Sequence, residues 1–302
     1  MTPAGRPTYL ERLAARTAAT GTVLCLGLDP DPAALPEGFS RDIAGVEAFS
    51  RVLLEACAPI AAAVKPNLAF FEAFGAAGLA ALERLRAALP REVLVIADAK
   101  RGDIGTTSER HAAALFDRLG ADAVTVSPYL GEAAIAPLLE RPDRFAYILC
   151  RTSNPGAGEL QDLRVAGDVA GASTEPLWAH VARRAATWGP GGTVGLVVGA
   201  TAPAELAAIR GIAPGLAFLV PGIGAQGGEL APVLAGGPAT ASPAGGRPGG
   251  GLLVNVSRGI AGAAVGAPNT RSGEGSGGGS VDLGERFAEA ARGWAARLPV
   301  LP

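Results

Sequence analysis

Apolar residues along this chain arrive in short, nearly unbroken runs, each followed by a longer stretch of mixed Ala, Leu, Glu and Arg. The runs lie at 22–28 (TVLCLGL), 60–65 (IAAAVK), 93–98 (VLVIAD), 122–126 (DAVTV), 145–150 (FAYILC), 194–199 (VGLVVG), 216–220 (LAFLV) and 252–256 (LLVNV). Continuous rather than alternating apolar character predicts parallel strands covered by helices. The stretches between them carry helix punctuation. Segment 70–89 ends before Pro90, and segment 105–119 gathers Leu115, Phe116 and Leu119 on one face before Gly120. Segment 174–188 opens with Thr174 and Pro176 and closes at Gly189, and 203–210 ends at Gly211. Eight strands alternating with helices predict an α/β fold, a single (βα)8 TIM barrel spanning 1–302. The competing open Rossmann-like sheet lacks its GxGxxG after the first strand.

Composition adjusts this picture in two places. The stretches 236–251 (GGPATASPAGGRPGGG) and 266–280 (GAPNTRSGEGSGGGS) are Gly/Pro/Ser-rich. They are expected to be flexible surface insertions near the eighth strand, dispensable for the fold. The remainder, 49% hydrophobic, is ample for a core. A formal charge of −2, with arginines scattered among 28 acids, argues against nucleic-acid or membrane-surface binding. Cys25, Cys57 and Cys150 are widely spaced, with no CxxC or Cys/His cluster, so neither a disulfide framework nor a zinc site is expected. Glu11, Arg12 and Arg16 interrupt any leader pattern, and Gly and Pro break the uncharged stretches. A cytoplasmic protein is expected.

Candidate chemistry starts from a scarcity. Of 26 basic residues, only Lys65 and Lys100 are lysine. A solvated surface cation tolerates exchange to Arg, whereas a group that must give up a proton does not, because guanidinium stays protonated. Both lysines end strand-like runs, and Lys100 stands between Asp98 and Asp103. Asp98 and Lys100, two apart, share one strand face. At the C-terminal mouth of a barrel that face belongs to the active site. Flanking carboxylates favour the charged ammonium. From charge alone, a salt-bridge network closing the barrel mouth remains open beside a catalytic patch. His111 and His180, each within a predicted helix, read as surface or packing residues. Asp31 reads as a turn residue, and Trp178, Trp188 and Trp294 as packing against the barrel. Asn67 and Phe71 follow Lys65 as possible pocket or core positions.

The segment ADAKRGDIGTT (97–107) resembles the DxKxxDI signature of the orotidine 5′-phosphate decarboxylase family. AVKPNLAFFE (63–72) is similar to the second-strand lysine segment of that family's bacterial subgroup containing the mycobacterial sequences. GLDPDP, RTSNPGA, PGIGAQGG and NVSRG follow in the family's order on strands one, five, seven and eight. The resemblance covers roughly residues 9–298, apart from the two low-complexity stretches.

That resemblance implies cofactor-independent and metal-free decarboxylation of orotidine 5′-phosphate to UMP, the last step of de novo UMP synthesis. It assigns Lys65, Asp98, Lys100 and Asp103 to a catalytic charge network with Lys100 as proton donor. Asp29 and Lys65 would hold ribose hydroxyls, and Ser153 would face the pyrimidine amide edge. Gln226 and Arg258, with backbone around Gly224 and Gly259, would hold the phosphate. Asp103 and Thr107 would act across a homodimer interface. Barrel physics independently puts phosphate sites in the loops after strands seven and eight. Rival readings are a magnesium-dependent sugar-phosphate decarboxylase or aldolase of the same superfamily, a Schiff-base aldolase, and a non-enzymatic phosphate-binding barrel. The first favours an acid where this chain has Lys65. The second needs a neutral amine, which flanking carboxylates oppose.

Overall fold

The computed structural model describes residues 6–166, 174–224, 226–264 and 282–301. Eight parallel strands close into a barrel: β1 (Leu24–Leu28), β2 (Ala63–Pro66), β3 (Leu94–Arg101), β4 (Ala123–Val126), β5 (Phe145–Arg151), β6 (Val194–Val198), β7 (Ala217–Val220) and β8 (Leu253–Val256). Each strand pairs with the next in sequence, and β8 returns to β1 with Leu24 level with Val254. All eight predicted runs are therefore strands of one (βα)8 barrel.

Alternation sorts the side chains into two shells. Val64, Ala97, Phe218, Val254 and Val256 face outward and pack under the helices. Ala63, Leu94, Ile96, Ala217, Leu219 and Leu253 face inward. By the same parity Lys65, Asp98 and Asn255 also point into the barrel, one step above the apolar layer. Each is nearly buried, with 5%, 9% and 9% of its surface exposed.

Helix 70–89 of the sequence prediction is two helices, Ala69–Glu72 and Gly75–Ala88. Gly75 interrupts it at φ +58, a conformation that L side chains rarely adopt. Segment 105–119 starts as an α-helix (Gly105–Ala112) and widens into π-type turns over Ala113–Arg118. The helix Leu177–Ala185 starts after Pro176, because Glu175–Pro176 pairs with Arg164–Val165 in a short antiparallel ribbon.

The floor of the barrel departs most from expectation. A helix over Tyr9–Thr20, secured by a Thr8/Glu11 capping box and by Gly21 at φ +69, lays Tyr9, Leu10 and Leu13 across the bottom. The Tyr9 ring stacks on Phe145 at 4.6 Å, and the Tyr9 and Tyr147 hydroxyls lie 3.1 Å apart. Beside this helix, segment 236–251 is packed rather than a loose surface insertion. Ala244 is fully buried and Ala239 nearly so, both within the inner apolar shell. Ala244 N–H donates to Gly215 O, and Thr17 Oγ1 donates to Pro248 O. A Cβ on Gly251, whose φ is +68, would stand 2.8 Å from the Cβ atoms of Ala217 and Ala244. The glycines here permit close approach of backbone layers, a use that composition does not distinguish from looseness. The other low-complexity stretch, 266–280, lies outside the described residues.

Buried Arg210 fastens the segment. Its guanidinium donates to the carbonyls of Ala213 (2.9 Å), Leu216 (2.8 Å) and Gly237 (2.5 Å) and stacks over Phe218. Arg210→Leu removes the guanidinium donors from the carbonyls of Leu216, Gly237 and Ala213, the last of which keeps only the longer bond from Leu216 N–H. It is expected to cost roughly 3 kcal/mol or more, lowering the thermal midpoint by several degrees. An unchanged midpoint by circular dichroism would mean that the segment is not held this way.

Candidate active site

The inward polar residues gather at the C-terminal mouth. Asp98 stands between two ammonium groups: Oδ2 accepts from Lys65 Nζ at 2.5 Å, and Oδ1 from Lys100 Nζ at 2.5 Å. Thr125 Oγ1 on β4 donates a third bond, 3.0 Å, to Asp98 Oδ1. Burial alone would raise the Asp98 pKa. The two cations outweigh it and hold the carboxyl well below the usual range. Lys65 shows the mirror image, since burial disfavours its charge but Asp98 and Asp29 reverse the effect and its pKa rises. The buried pair is therefore ionised on both sides, a fixed alternation of charge largely shielded from solvent.

Lys100 differs from Lys65 in two respects. Its side chain is half exposed, and its backbone, at φ +48, makes it the one non-glycine residue with positive φ among those described. Such a conformation is uncommon for a side-chain-bearing residue and tends to accompany function.

A cleft of about 190 Å³ opens beside this cluster. Asp29, Lys65, Asn67 and Asp98 line one part; Gly222, Gln226, Arg258 and Gly259 line another. Gly222, at φ +99, lies so close to Ser153 and Gln226 that a Cβ there would stand 3.0 Å from Ser153 Cβ and 2.9 Å from Gln226 Oε1. Ser153 is thereby drawn to the loop after β7. Trp294 packs beneath the β8 loop, its indole N–H donating to Gly259 O at 3.1 Å. Larger cavities lie elsewhere, including one of about 500 Å³ bounded by Tyr129, Leu160 and Trp188. Neither lysine nor Asp98 lines them, and chemistry rather than volume selects the smaller cleft.

The structure thus brings together Asp29, Lys65, Asp98, Lys100, Ser153, Gln226, Arg258 and Gly259, with Gly224 in the loop carrying Gln226. It keeps Asp103 and Thr107 apart from them. Asp103 makes no ion pair among the described residues; its Oδ1 accepts only the neighbouring Ile104 N–H at 2.7 Å. Thr107 sits in the first turn of Gly105–Ala112 and does not line the cleft. Neither histidine reaches it; His180 pairs with Glu175.

Two site residues went unremarked in the sequence. Asn255 lines the cleft with its buried Oδ1 lacking a partner; its signal was an amide at an inward position between Val254 and Val256. Thr125 gave no signal, because Thr is at home in strands.

Residues 22–271 match the model of the orotidine 5′-phosphate decarboxylase/HUMPS family. The chain belongs to this family. A protein from Thermomicrobium roseum named orotidine 5′-phosphate decarboxylase is 44% identical over 291 residues, covering 96% of this chain and 93% of its own. One of the same name from Roseiflexus castenholzii is 50% identical over 236 residues, 78% of this chain and 82% of its own. Among solved structures, the Leishmania donovani OMP decarboxylase superimposes with a TM-score of 0.76 at 38% identity, covering 96% of this chain and 97% of that one. Family membership makes the chain an enzyme, a carbon–carbon lyase.

Proposed function

We propose that this enzyme converts orotidine 5′-phosphate to UMP and CO2 with no metal or organic cofactor. The observation that carries the reading is the Asp98 carboxylate held between the Lys65 and Lys100 ammonium groups, beside a cleft that Gln226 and Arg258 also line. When the C6–carboxylate bond of the pyrimidine breaks, CO2 departs and the electron pair stays on C6, in the ring plane and out of reach of the ring carbonyls. A preorganised cation stabilises such localised charge without reorganising. Lys100 then transfers a proton from Nζ to C6, and uptake of a proton from solvent resets the amine. Arg258 and Gln226 hold the phosphate, Asp29 and Lys65 the ribose, and Ser153 the pyrimidine edge. Binding energy far from C6 thereby orients the ring.

Asp103 and Thr107 are read as serving the partner's site in a homodimer. Gly102 backs closely onto Ser127, so the loops after β3 and β4 lie side by side. They expose Ile104 (66%), Tyr129 (84%) and Leu130 (52%). Apolar side chains grouped around an unpaired carboxylate suit burial against a second copy. Three free, buried thiols suit the cytoplasm, and no described helix is long and apolar enough to cross a membrane.

The magnesium-dependent branch favours an acid where this chain carries Lys65. Among the described residues, no three His, Cys, Asp or Glu side chains cluster as metal ligands. The test is turnover of orotidine 5′-phosphate after exhaustive EDTA treatment. UMP formation at the untreated rate is expected. Activity that is lost and returns with Mg2+ would move the chain to the sugar-phosphate branch. Trapping of a substrate adduct by borohydride would move it to Schiff-base chemistry.

A further inference from the structure

Strand β3 does not run level with β4 at the site. Ala97 stands opposite Val124 and Arg101 opposite Val126, so Asp98, Ala99 and Lys100 together face the single residue Thr125. This bulge compresses the chain and lets Lys100 curl back over Asp98 in its positive-φ conformation. It also takes the amides of Ala99 and Lys100 out of register with β4, and a buried N–H without a partner is costly.

Thr125 resolves that cost with its side chain. Its Oγ1 accepts from Ala99 N–H at 3.1 Å and from Lys100 N–H at 3.0 Å, while its own hydrogen goes to Asp98 Oδ1 at 3.0 Å. A hydroxyl has two acceptor lone pairs and one donor, and here all three are used. Thr125 itself is 2% exposed. One oxygen therefore fixes the Lys100 backbone and the carboxylate that its ammonium contacts. We infer that Thr125 is a positioning residue for the reaction, acting through Lys100 and Asp98 without touching substrate. The inference rests on the decarboxylase reading above, in which Lys100 delivers the proton.

Thr125→Val keeps the shape and β-branching of the side chain but strands two amides and removes a donor from Asp98. Its kcat for orotidine 5′-phosphate is expected to fall roughly 10–100-fold, the scale of a misplaced catalytic group. KM and the inhibition constant of UMP should move less than about threefold, because phosphate and ribose contacts lie on other strands. Thr125→Ser should recover most of the kcat, and Thr125→Ala should behave like Val. The Ser/Ala pair differs only in the hydroxyl, so it decides the matter if the Val protein does not fold. A kcat within about threefold of wild type in a folded Val or Ala variant would overturn the inference. So would failure of Ser to recover, or unfolding of both Val and Ala variants, which would make the role purely structural. Wild-type enzyme is assayed alongside: absence of turnover there would count against the decarboxylase reading, whereas active wild type with an unaffected Val variant would count against Thr125 alone.

Discussion

Lys100→Arg protein is expected to fold normally and to lose at least about 10²–10⁴-fold in kcat with orotidine 5′-phosphate, the range supplied by a positioned general acid. The substitution preserves the positive charge and sits at a half-exposed side chain, so the Asp98 contact and the fold have room to survive. What it removes is the proton. Guanidinium does not release one at any pH the enzyme tolerates, and its planar head is broader than an ammonium. UMP should still bind, as its phosphate and ribose contacts are elsewhere. Near wild-type turnover by the Arg variant would take Lys100 out of the donor role and leave charge alone as its contribution.

A larger qualitative effect is expected from mixing two inactive proteins. Lys100→Ala and Asp103→Ala homodimers should each be nearly dead if one chain supplies Lys100 and its partner supplies Asp103 to a given site. In a mixed dimer one site carries both defects, while the other joins an intact Lys100 to an intact Asp103. Random exchange at equal amounts makes half the dimers mixed, so about a quarter of all sites should regain activity. Exchange is verified first with differently tagged chains. Verified mixing without recovery would show that both residues act within one chain. The structure motivates the test, because Asp103 makes no ion pair among the described residues and stands beside the exposed Ile104.

The barrel was legible because parallel strands buried on both faces need unbroken apolar runs, and each of the eight runs became a strand. Lys65 and Asp98 were legible for the complementary reason: a charge at the end of such a run has to point into the mouth. The resemblance in six ordered segments then supplied roles that no periodicity encodes. Helix Tyr9–Thr20 is not among the expected elements, because Glu11, Arg12 and Arg16 break its apolar run, although Tyr9, Leu10, Leu13 and Thr17 fall on the one face that it buries. Segment 236–251 was misread for a physical reason. Glycine serves both a floppy loop and a backbone layer packed too tightly for any Cβ, and sequence alone carries no mark of which. The bulge in β3 was invisible too, since its cause is a hydroxyl on the neighbouring strand, and Thr125 looks like any other strand residue.

The pairing of a lysine-poor chain with a half-exposed Lys100 has a practical side. Lys65 is buried against Asp98, so Lys100 is the sole lysine amine within reach of solvent in the folded protein. Reagents that acylate, methylate or cross-link lysine side chains find no second accessible lysine here, and the arginines do not compete for them. Coupling the protein to a resin or dye through its lysines therefore targets Lys100, and under the proposed function a bound nucleotide should act as a protecting group for that amine.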